Sequence, residues 1–136
     1  MRILCFLSIS LLSGLCNAQY SPQYDACSKR ARVQHELHVC ANEEAKRVDD
    51  ELNRVYELLL SKVHDNSLAT AKIKAERKAW RMYRATYIEA MYPAKDKQAE
   101  YGSIFPMEVD LLVAKLSRQE IEALKAILRY NDPDGN

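Results

Sequence analysis

The chain is 136 residues long, with 20 lysines and arginines against 19 aspartates and glutamates. That balance excludes an electrostatic nucleic-acid binder, which carries a basic excess, and a strongly acidic decoy for a basic partner. The length allows one domain.

Met1-Arg2 is a short positive start, and Ile3 to Leu12 is apolar except for Ser8 and Ser10. Cys16-Asn17-Ala18 then supplies small residues where a signal peptidase reads. Residues 1–18 therefore read as a secretory signal peptide. The run is shorter than the roughly 20 apolar residues of a membrane span. A lipid on Cys16 would need a small residue before it, where Leu15 stands. The expected organisation is a signal at 1–18, a single helical domain at 19–130 and a flexible tail at 131–136. The expected location is the bacterial periplasm or the medium, with no stable membrane insertion after cleavage. Removing the signal takes Arg2 and no acid, so bases and acids become equal.

Cleavage also removes Cys5 and Cys16 and leaves Cys27 and Cys40. In an oxidising compartment such a pair defaults to a disulfide. Its loop of about 15 residues is worth about 3 kcal/mol on the chain-entropy model. A redox-active pair would need Cys-x-x-Cys spacing. Without the bridge, residues 19–32 are expected to have little holding them down.

From Val33 the apolar positions run Leu37, Cys40/Ala41, Ala45, Val48, Leu52, Val55/Tyr56, Leu59 and Val63. Steps of three and four over about thirty residues predict an amphipathic helix. Asp65-Asn66-Ser67 ends it and offers the next N-cap. A second helix is predicted from Ser67 to Met91 on Ala69, Ile73, Trp80, Tyr83, Tyr87 and Met91, stopped by Pro93. Glu76 interrupts its apolar line and is expected to pair with a base such as Arg84. Tyr92 to Pro106 reads as one long loop, the kind that carries function or moves. A short helix over Met107–Leu116 follows. Ser117-Arg118-Gln119-Glu120 reads as a capping box that starts a last helix to about Arg129. The fold class is all-α: two long antiparallel amphipathic helices and two shorter C-terminal ones, with the N-terminal segment tied back by the disulfide.

No stretch reads as an active site. His35 and His38 could share a metal, but a structural zinc needs four ligands, and two exposed histidines beside a disulfide cysteine is the favoured reading. Glu43, Glu44, Asp49, Asp50 and Glu51 interleave with bases and read as a solvated face rather than a glycosidase pair. There is no nucleophile elbow or phosphate loop. Asp132-Pro133-Asp134-Gly135 is too short to close a calcium loop. Neither cofactor, metal nor catalytic residue is assigned. Trp80 and Tyr83 read as the seam between the long helices. Tyr101, Gly102, Ser103 and Phe105, in the loop, read as the partner-binding residues.

Six features occur in order along the chain: Asp25-x-Cys27, Cys40-Ala41, Asp50-Glu51-Leu52-Asn53-x-x-Tyr56, Ala79-Trp80-x-x-Tyr83-Arg84, Gly102-Ser103 and Leu116-Ser117. With them the chain resembles the LprI-type lysozyme-inhibitor family of small exported bacterial proteins. The resemblance implies an exported α-helical domain that inhibits lysozyme. It also implies a second cysteine pair, where this chain has Tyr87 and Leu112, and an arginine in the last helix, where it has Glu120. The resulting expectation is an exported, non-enzymatic protein that binds and occludes a lysozyme or similar peptidoglycan-cleaving enzyme. An immunity or envelope interaction protein with another partner is the alternative.

Overall fold

The computed structural model describes residues 20–131, and those residues contain helices and no strand. The signal sequence, the first residue of the expected domain and the tail beyond Asn131 lie outside them. Five helices follow in order: α1 (Pro22–Arg30), α2 (Gln34–Lys62), α3 (Ser67–Met91), α4 (Lys97–Tyr101) and α5 (Phe105–Asn131).

The local signals are met by side chains at the helix starts. Ser21 caps α1, its hydroxyl accepting from the Tyr24 N–H at 3.1 Å, with Pro22 at the first helical position. Asn66 caps α3 by accepting from the Ala69 N–H, and Tyr92, before Pro93, ends it. α2 and α3 thus stand with nearly the predicted limits.

The region after Pro93 differs from the single loop expected of it. Asp96 caps the short α4, and a 3-10 turn over Gly102–Ile104 leads straight into α5. Gly102 has φ of +71°, the only positive φ among the described residues, which a side chain would strain. α5 also runs unbroken through the expected start at Ser117. Ala114, Ser117, Ile121 and Leu124 continue one buried face across that point, so nothing interrupts the helix. The serine's hydroxyl serves another helix rather than a cap.

α2 is the axis of the bundle, and α5 packs on it most closely. Ala41, Ala45, Ala114 and Ser117 are all buried there, and small side chains let two backbones approach. The two helices are parallel, since Asn42 meets Asp110 and Asp49 meets Ser117. α3 is antiparallel to α2 and reaches it through long side chains: Tyr56 to Glu76, Asn53 to Arg77, Asp49 to Arg84. Leu52, Val55, Leu59, Ile73, Trp80, Ile121 and Leu124 fill the main core. Tyr24, Cys40 and Ala41 form a second one under α1, with Met107 and Leu111 against it.

The Cys27–Cys40 disulfide is formed and ties α1 to α2, with Cα atoms 5.7 Å apart. It does not act alone. Tyr24 is buried, and Glu44 accepts both the Ser21 N–H (2.9 Å) and the Ser21 hydroxyl (2.5 Å). The expectation that residues 19–32 depend on the bridge is corrected accordingly.

Candidate functional site

Residues from three of the six sequence motifs meet in one place. A cleft of about 80 Å³ between α2 and α3 is lined by Leu52, Asn53 and Tyr56 from one side and Arg77, Trp80 and Arg84 from the other. Asp49 closes it, bonding Arg84 Nη1 through both carboxylate oxygens at 2.7 and 3.0 Å. Ser117 donates to Asp49 at 2.6 Å and accepts from Arg84 Nη1 at 3.0 Å. The Arg84 guanidinium also lies 4.5 Å from the centre of the Trp80 ring. Asp49, Arg84 and Ser117 thus tie α2, α3 and α5 together, each group satisfying the next.

The expected Glu76–Arg84 pair is not made. Glu76 instead accepts from the Tyr56 hydroxyl at 2.5 Å, and Glu120 stands 3.3 Å from the same oxygen. Burial first, then the hydrogen bond and charge of Glu76, push the Glu120 carboxyl up to about 7. Burial and the two acids push the Tyr56 hydroxyl up as well. This corner brings two carboxyl groups onto one phenol hydroxyl.

Two other expectations change. Trp80 is buried, but Tyr83 is 53% exposed, its ring tilted against that of Tyr87 with centres 5.8 Å apart. Tyr83 is therefore not part of the helix seam, which is built from Trp80 and polar side chains. Glu44 is fully buried rather than solvated, and Asp49 is half-buried. Glu44 is paired with Arg118 and, at 2.6 Å, with Arg47. The period had placed Glu44 beside Ala41, Ala45 and Val48 on the buried face. That was the signal for its role, and its charge hid it.

The residues after Pro93 form a compact end to the bundle. Tyr101 and Phe105 are half-buried and pack with Tyr92, with ring centres 5.1 to 5.7 Å apart. The Tyr101 hydroxyl accepts from the Ala94 N–H at 3.1 Å. Gly102 turns the chain, and Ser103 is exposed and hydrogen-bonded to Gln34 at the start of α2. Exposed apolar area there comes from Ile104 (43%) and Val33 (58%) rather than from the two aromatic rings. His35 is exposed, and Cys40, the third member of the His-x-x-His-x-Cys set, is in the disulfide. No group of three potential metal ligands exists among the described residues.

The fold and its interlocked cleft define a small helical scaffold. Residues 26–124 match the family described as Lysozyme inhibitor LprI, and the chain belongs to that family. An uncharacterized protein of Rhizobium meliloti (strain 1021) is 29% identical over 123 residues, covering 82% of this chain and 84% of that one. No solved structure matches.

Proposed function

We propose that this is an exported protein that binds and inhibits a lysozyme or related peptidoglycan-cleaving enzyme by steric occlusion, and that it works in the periplasm or outside the cell. The observation that carries the reading is the family match, which spans most of the chain. No helix among the described residues is long and apolar enough to cross a membrane.

The proposed contact surface is the end of the bundle around Gly102 and Ser103. Tyr101 and Phe105 support it from beneath, and Ile104 and Val33 add apolar area at its surface. A surface held by packed rings loses little freedom on binding, which favours affinity.

Mixed with a lysozyme, the purified protein is expected to co-elute with it in gel filtration. Ile104→Glu, at an exposed position that leaves the core intact, is expected to weaken the complex by roughly tenfold or more if the side chain is a contact hot spot. Unchanged affinity would move the contact surface elsewhere. Failure of the wild-type protein to bind any lysozyme, with capture of a different envelope protein, would favour the immunity reading.

A further inference from the structure

The cleft between α2 and α3 carries more positive charge than its own acid neutralises. Arg77, Arg81 and Arg84 line it against the single carboxylate of Asp49. Arg84 directs only Nη1 to Asp49 and Ser117, leaving the donors on Nη2 and Nε uncommitted. Arg77 gives Nη2 to Asn53 at 2.7 Å, and its Nη1 lies 3.5 Å from Glu57, whose side chain is 70% exposed. Arg81 is exposed and makes no hydrogen bond or ion pair among the described residues.

We propose that this cleft binds a small oxyanion, a phosphate or carboxylate group, through Arg81 together with the free donors of Arg84 and Arg77. Guanidinium groups present paired N–H donors that match the oxygens of either anion. A cation would be repelled, and a neutral ligand would leave the donors without a charged acceptor. The cleft is small, about 80 Å³, and has room for a small ion. The Arg84 and Asp49 side chains are only 21% and 34% exposed, so solvent screens an ion seated beside them less than it would on an open surface. The Tyr56 hydroxyl, committed to Glu76, closes the far wall. The inference is independent of lysozyme inhibition, because it concerns a different surface.

Trp80 lines the cleft and is the chain's only tryptophan, so its fluorescence reports the site alone. The whole protein would be titrated with sodium phosphate and, separately, sodium acetate, at constant ionic strength set with sodium chloride. Saturable change with either anion is expected. Saturation by phosphate alone assigns a phosphoryl group, and saturation by acetate alone assigns a carboxylate. Arg81→Ala should raise the half-saturating concentration about tenfold, the loss of one charge-assisted hydrogen bond. Arg81→Lys should fall between, keeping the charge but not the fork. Because Arg81 is exposed, both variants keep the fold, which circular dichroism would verify. The proposal is overturned if chloride reproduces the response, if neither anion saturates, or if Arg81→Ala titrates like the parent.

Discussion

Replacing Glu120 with glutamine tests the corner formed by Tyr56, Glu76 and Glu120. Tyr56 has one hydroxyl proton and holds it toward Glu76 at 2.5 Å, so Glu120, 3.3 Å away, must be protonated or face a second carboxylate. Its carboxyl is raised from 4.5 to about 7 in the folded chain. A raised carboxylic acid favours the native state at low pH. That contribution is complete below 4.5 and is lost as the pH climbs to about 7. At 1.36 kcal/mol per pH unit the full loss would be about 3 kcal/mol. Glu120 is only half-buried, and solvent screening reduces this to about 1–2 kcal/mol. Glu120→Gln keeps the shape and removes the ionisation. Urea unfolding at pH 5 and pH 8 should show the variant more stable than the parent by about that amount at pH 8, and by less at pH 5. An equal parent–variant difference at both pH values, or a variant less stable at pH 8, refutes the reasoning.

Glu44→Ala should destabilise the fold by about 2–3 kcal/mol, because Arg118, Arg47 and Ser21 each lose a bond to the buried acid; urea midpoints measure it. Ser117→Ala should lose about 1–3 kcal/mol by the same assay, leaving Asp49 and Arg84 each short of a partner. A loss near zero would indicate that the hydroxyl serves neither. Cys27→Ser should lower stability by about 3 kcal/mol, yet hydrogen exchange around Tyr24 should stay slow, since its side chain is buried and Glu44 still holds Ser21.

Periodicity and punctuation made most of the fold legible. The steps of three and four through Val48, Leu52, Val55 and Leu59, the cap at Asn66 and the stop at Pro93 set α2 and α3 nearly to the residue. What failed were residues with two possible uses. Ser117 followed by Glu120 has the pattern of a capping box, but the same hydroxyl can bond another helix, and only the position of Asp49 decides between them. Tyr83 falls near the apolar line of α3, yet a helix face is buried only where a neighbour covers it, and Tyr83 is left 53% exposed. Acids are solvated far more often than not, so Glu44 was legible only to a reading that trusted its phase over its charge. The motif residues Asn53, Tyr56, Trp80 and Arg84 were visible individually. Their convergence in one cleft was not, since that depends on how α3 lies across α2. Tyr101 and Phe105 stood out as aromatic, but in a region read as a loop their packing against Tyr92 could not be foreseen.

The central claim is tested most directly by the rate at which a lysozyme lyses cell walls in the presence of this protein. Purified with its disulfide intact and added in molar excess, the protein should slow lysis in proportion to the fraction of enzyme bound, and Ile104→Glu should slow it less. Lysis that proceeds at the same rate with and without the protein would contradict the account.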